Sequence, residues 1–248
     1  MRWIRRAELS RDVRKALGKK QALANARLKA GTLDVQATWK LARRSQPLKE
    51  ALAVLQRMAG GRERCMYCVD SHGTDIEHFW PKTPYPQRMF EWPNMLLCCT
   101  ECGRWKGDAF PLDQGKPLLV NPTSDDPWQH LDFDPVTGNI TARFDVATNV
   151  ESPMGVATVK LLRLDRREAL ASGLQSTYRR IRNRVNDALH AGQPDAQDLI
   201  QQLEEADDHG LLGWCVRGTG RHEDPFAALQ REHPAVWDAW ARWVNEAR

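Results

Sequence analysis

From residue 170 the apolar side chains fall at Leu170, Leu174, Tyr178, Ile181, Val185 and Leu189, in steps of 4, 4, 3, 4 and 4. That spacing is one face of a core-facing amphipathic helix, and the intervening "RR" and "RNR" keep the other face polar. Residues 10–30 and 35–60 also read as helical. In the second stretch Leu48, Leu52, Leu55 and Met58 recur at helical spacing, and Gly60–Gly61 stops the helix. Further helices are expected over 195–207 and 234–247. In the last, Trp237, Trp240 and Trp243 stand three apart and read as a core stripe rather than an aromatic binding platform. The periodicity vanishes over 62–112, where turn residues, aromatics and all but one of the cysteines crowd. Residues 117–145 read as short strands, "PLLVNP", "HLDFD" and "NITARF", with "PVTG" as a hairpin turn between the last two. The expected fold class is α+β, mainly α-helical. It divides into a helical N-terminal region (1–60), a central cysteine-rich core with following strands (61–145) and a helical C-terminal region (146–248).

Charge sharpens this layout. The 248 residues carry a net charge of only +4, yet residues 1–60 hold fifteen Lys and Arg against four Asp and Glu. A solvated helix face is one reading of that run; a basic arm following a phosphate backbone or an acidic partner is the other. The stretch "PDAQDLIQQLEEADD" (194–208) is acidic throughout. No run of 18 apolar residues exists, so no membrane span is expected. The charged N-terminus lacks the apolar stretch of a secretory signal, which makes the cytoplasm the expected location. No G-x-x-x-x-G-K-[ST] occurs, so nucleotide binding through a P-loop is not expected.

Six cysteines in a long chain without an export signal point to metal or redox chemistry rather than a disulfide framework. Cys65-x-x-Cys68 and Cys99-x-x-Cys102 are separated by 30 residues. Four thiolates close a tetrahedral shell around Zn²⁺, and each C-x-x-C presents two of them from one tight turn. A redox pair would need only one motif, at a helix start in a βαβ setting that is not visible here. A structural Zn²⁺ is the favoured reading. Such a site contributes about 10–16 kcal/mol of apparent folding free energy, and with four cysteines it leaves no open position for chemistry. Cys98 and Cys215 read as core. His72 reads as loop, and His130 and His222 have no evident partner.

The stretch between and after the cysteine pairs, "C-x-x-C … I-E-H-F-x-P-K … W-x-N-x-L-L-x-C-x-x-C-x-x-x-K-G-D-x-F-P", resembles HNH endonucleases with a zinc-supported ββα-metal core. "IEHFWPK", "KGDAFP" and "LLVNP" resemble in particular the nuclease subunit of Septu anti-phage systems and the HNH effectors of some retrons. The likeness covers residues 60–122, with weaker similarity to about 175, where "LLRLDRREAL" resembles the helix after the core. It implies that His78 is the general base for phosphodiester hydrolysis, that Asn94 orients His78 by hydrogen bonding, and that Glu77 helps hold a catalytic Mg²⁺ or Mn²⁺, ions suited to oxygen ligands. Lys82 and Lys106 are candidate contacts to nucleic acid, DNA foremost. A P-loop ATPase in a separate chain is the implied partner.

Two features complicate that assignment. Glu77 and His78 would point to opposite faces of an ideal strand. Gly103 follows the fourth cysteine, where the family places Asn or His as a metal ligand, so either the metal is held by fewer protein ligands and more water, or Asp75 or Asp108 stands in, or the site is weakened. The competing function is a non-catalytic four-cysteine scaffold that binds nucleic acid or protein. A third is a toxin or restriction nuclease acting without an ATPase.

Overall fold

The N-terminal helical pattern resolves into three helices in the computed structural model, which describes residues 1–246. Helix α1 (Arg11–Lys29) starts where the Ser10 side chain accepts a hydrogen bond from the Val13 N–H, and it buries Val13, Leu17 and Ala24. Helix α2 (Val35–Ala42) is capped by Asp34, and α3 (Gln46–Met58) buries Leu48, Ala51 and Leu55. The single helix expected over 35–60 is therefore broken at residues 43–45. Pro47 explains the break: inside a continuous helix its ring would meet the Arg43 carbonyl, whereas in the first turn of α3 its missing N–H costs nothing.

The cysteine-rich stretch forms β1 (Asp75–His78), a long loop, β2 (Met95–Cys98) and α4 (Thr100–Lys106). The strands pair antiparallel, with Asp75 opposite Cys98, Glu77 opposite Leu96 and His78 opposite Met95. A small hairpin follows, β3 (Leu112–Asp113) with β4 (Lys116–Pro117). "PLLVNP" does not continue as a strand. Leu119 and Val120 are buried, but the Val120 N–H is satisfied by the Thr158 hydroxyl at 2.9 Å instead of a ladder partner.

Beyond it, β5 (Leu131–Phe133) and β6 (Ile140–Ala142) form the expected hairpin, turning at Gly138 with φ +78°. A two-residue pair, β7 (Phe144–Asp145) and β8 (Val150–Glu151), precedes α5 (Pro153–Leu162). The sequence pattern gave no sign of α5, which is apolar nearly all round and so shows no amphipathic period. Gly155 lets α5 lie against the hairpin, because any Cβ there would collide with the His130 carbonyl. Helix α6 (Glu168–His190) buries Leu170, Leu174, Tyr178, Ile181 and Val185 as the spacing predicts. Then come α7 (Ala196–Ala206), α8 (Leu212–Arg217), α9 (Phe226–Glu232) and α10 (Pro234–Glu246). The α10 stripe is Trp237, Trp240 and Val244, a core contact with Trp237 edge-on to Trp240 at 5.3 Å.

The architecture is thus mainly helical α+β with small two-stranded sheets. It divides into two compact units, one mainly Ile4–Tyr67 with Ser71–Pro117, the other mainly the chain from Leu118 onward. Among the described residues no helix is long and apolar enough to cross a membrane.

Candidate active site beside a four-cysteine cluster

Two turns bring the four cysteines together. The Cys65 N–H bonds to Ser71 O and the Met66 N–H to Leu97 O, both at 2.9 Å, which lays the first Cys-x-x-Cys turn alongside β2. Val69, just after Cys68, takes the left-handed backbone (φ +55°) that reverses the chain. Cys99 caps α4, its Sγ accepting from the Cys102 N–H at 3.4 Å. The Sγ atoms of Cys65, Cys68, Cys99 and Cys102 lie within 4.8 Å of one another, and all four residues are buried. A tetrahedral zinc with bonds of about 2.3 Å needs sulfurs roughly 3.8 Å apart, so the donor set and its spacing fit Zn²⁺. Cys98 is buried beside the cluster, 4.0 Å from Cys65 Sγ, and its thiol donates to Cys99 O. Cys215 is fully buried in the core.

The hairpin attached to this cluster alternates strictly: Ile76 and His78 turn inward, Asp75 and Glu77 outward. The outward face meets a groove of about 880 Å³ whose lining includes Asp75, Glu77, Lys82 and Gly103. A Cβ built on Gly103 would stand 3.5 Å from Glu77 Oε2 and 3.8 Å from Cys98 Sγ. The helix position after the fourth cysteine therefore faces Glu77 with room for a side chain, and glycine leaves that room unused.

Glu77 is held from behind. Lys106 Nζ lies 2.9 Å from Glu77 Oε1 and donates to His78 O at 2.6 Å. Its side chain has no solvent exposure. Lys106 is therefore a buried counter-charge to Glu77 and does not present itself to a phosphate, which corrects the expectation of a nucleic-acid contact. Asp75 pairs with Arg43 at 3.2 Å. Asp108 is exposed and does not line the groove. Lys82 does line it.

His78 is only 2 % exposed. Trp39 of α2 packs edge-on against its ring with centroids 4.4 Å apart. Its Nε2 lies 2.9 Å from the Met89 carbonyl. A carbonyl only accepts, so Nε2 carries the proton and Nδ1 keeps the lone pair. The orienting group is thus Met89 O, not the Asn94 side chain. Asn94 instead accepts from the Trp80 N–H at 2.7 Å and donates to the Trp80 and Arg88 carbonyls at 3.0 Å each. It closes the 80–93 loop and acts on His78 only through the placement of Met89. Trp92–Asn94 itself is a single 3-10 turn.

The N-terminal helices contribute what the sequence reading placed elsewhere. Trp39, Lys40 and Arg43 of α2 and its cap line the groove together with Arg104 of α4. Gln21 of α1 grips the loop twice, donating to Pro86 O at 3.0 Å and accepting from the Phe90 N–H at 2.7 Å. Arg6 donates to the Met95 and Pro93 carbonyls. No local motif signals these contacts, since each joins residues far apart in the chain.

No family model matches the chain. It is similar to Septu protein PtuB. The Bacillus thuringiensis protein of that name is 36% identical over 73 residues, 27% of each chain, and that of Bacillus mycoides (strain KBAB4) is 31% identical over 147 residues, 46% of each. The chain thus spans between about a quarter and about half the length of these curated relatives.

Two outcomes test this geometry. The purified chain should carry one zinc per molecule by metal analysis, and Cys102→Ser should lose most of it together with a large fall in Tm; undiminished zinc in the variant would remove the cluster as its ligand set. Burial above all, with Lys82 and Lys106 repelling a second proton and the Met89 bond opposing them, lowers the His78 pKa to about 3 from 6.5. Because the folded value lies below the unfolded one, the unfolded chain takes up the proton first, and stability falls as pH drops through about 6.5 toward 3. Between pH 7 and pH 4 the wild type should lose about 3 kcal/mol more than His78→Gln in urea unfolding. Zinc release burdens both proteins alike, so equal losses would count against the buried neutral imidazole.

Proposed function

We propose that the chain is an HNH-type metal-dependent endonuclease acting on DNA, and the nuclease member of an anti-phage defence assembly whose P-loop ATPase is a separate chain. The observation that carries this reading is the β1–β2 hairpin and α4, joined at a four-cysteine cluster, with Glu77 and Asp75 turned to a groove and the base candidate His78 at the end of the same strand. The partial similarity to Septu protein PtuB supports the defence role.

In this reading Zn²⁺ is structural and His78 Nδ1 takes the proton of the attacking water. The Met89 bond fixes the tautomer, and Trp39 holds the ring plane. A base with so low a pKa is weak; an anionic phosphate brought beside it raises the value toward the useful range. A bound Mg²⁺ or Mn²⁺ would polarise the phosphate and aid the leaving oxygen. Glu77 Oε2 and the Asp75 carboxylate are the oxygens available to hold it, and one or two carboxylates with water and phosphate suit such an ion. Asn94 positions Met89. Lys82 contacts the backbone.

A second reading has its own support. Gly103 offers no ligand, Lys106 already neutralises Glu77, and His78 is closed off by Trp39. A zinc scaffold that binds nucleic acid or a protein without cutting would tolerate all three.

Plasmid DNA incubated with the purified chain and Mg²⁺ or Mn²⁺ should be nicked or cut, with loss of at least about a hundredfold in His78→Ala and no cutting in EDTA. Binding retained by both proteins with cleavage by neither, with and without the proposed ATPase partner, would favour the scaffold. Gly103→Asn, which fits the space at Glu77, should lower the Mn²⁺ concentration for half-maximal cleavage several-fold; an unchanged requirement would mean that the ion does not sit under α4.

A further inference from the structure

The basic N-terminal run reads either as a solvated helix face or as an arm for a phosphate backbone or acidic partner; in the structure α2 forms one wall of the groove that holds Asp75 and Glu77. Three contacts fix it there. Trp39 is buried against His78 and, at 6.0 Å, Phe90. Gln36 donates to the Thr83 hydroxyl at 3.2 Å, next to Lys82 on the loop. Arg43, the C-terminal cap of α2, reaches Asp75 at 3.2 Å. With the helix so anchored, Lys40 and Arg43 project at the groove as exposed cations, alongside Lys82 and Arg104. Four cations thus line a groove with two carboxylates, one of which Lys106 neutralises from beneath.

We propose that α2 is the phosphate-gripping wall of the groove, with Lys40 and Arg43 binding the sugar–phosphate backbone of a nucleic acid. This rests on the nuclease reading for its consequence in catalysis, but the grip itself does not require cleavage. The side-chain chemistry suits a polyanion. Arg43 is half exposed in its ion pair, and a guanidinium has five N–H donors, so donors remain for a phosphate after Asp75 is satisfied. Lys40 supplies a mobile point charge one turn earlier on the same helix. Trp39, directly before Lys40 in sequence but on the inner face, is the anchor that keeps the two cations at the groove mouth.

The test is binding and cutting measured on the same full-length preparations. Binding is followed by anisotropy of a short fluorescein-labelled DNA duplex without added divalent ion, across a salt series. Lys40→Ala/Arg43→Ala should bind about tenfold or more weaker, with the slope of log affinity against log salt reduced by nearly two, since each released phosphate contact contributes about 0.9. A charge-matched control, Lys15→Ala/Lys19→Ala on the exposed face of α1, should change both far less. Equal losses in the two variants would overturn the proposal, because net charge and not the groove wall would be responsible. So would Arg43→Ala cutting plasmid faster than wild type, which would make Arg43 a restraint on Asp75 rather than a grip. Loss of binding in the α2 variant with no His78-dependent cutting by the wild type would sustain the grip and overturn the nuclease reading instead.

Discussion

Four buried sulfurs from two turns 30 residues apart must converge within 4.8 Å, and the candidate site is built outward from that requirement. The second turn is the start of α4, and β2 runs into it without a spacer, so closing the cluster fixes the helix to the hairpin. Gly103 comes next along the helix, and its open side is thereby set against Glu77 across the hairpin. A structural zinc contributing about 10–16 kcal/mol would be of the size of a whole domain's net stability.

On this frame the charges are layered. Lys106 lies beneath, without exposure, tied to Glu77 and to the His78 carbonyl. Removing one partner of such a pair would strand a buried charge. Glu77 and Asp75 form the next layer, and Lys40, Arg43, Lys82 and Arg104 the outermost. The inner cation settles the Glu77 carboxylate, while the outer ones line the groove. His78 stands aside from this stack, neutral through burial and aimed by a backbone carbonyl.

Much of this was legible. Spacing rules found α1, α6, α7 and α10 because amphipathic helices announce themselves at a period of 3.6. They missed the interruption between α2 and α3, where Pro47 outweighed a continuous apolar stripe, and α5, whose faces are nearly all apolar. The paired Cys-x-x-Cys motifs identified the cluster, since turn geometry ties two thiols to one short segment. Asn94 was legible as a residue of the site region but not in its partners: its amide meets the Trp80 and Arg88 backbone, and Met89 takes the place at His78.

What the sequence by itself determined was therefore whatever local chemistry dictates: the helices with a clear stripe, the four thiols and the opposite facing of Glu77 and His78 along an extended segment. The tertiary structure decided which face meets which. It buried Lys106, which in sequence is only one more basic residue, because the β1 face happens to lie over that turn of α4. It brought Trp39 against His78 and Arg43 to Asp75 across 39 and 32 residues of chain. Contacts of that range leave no periodic trace, because packing selects them by shape and charge after the elements have formed.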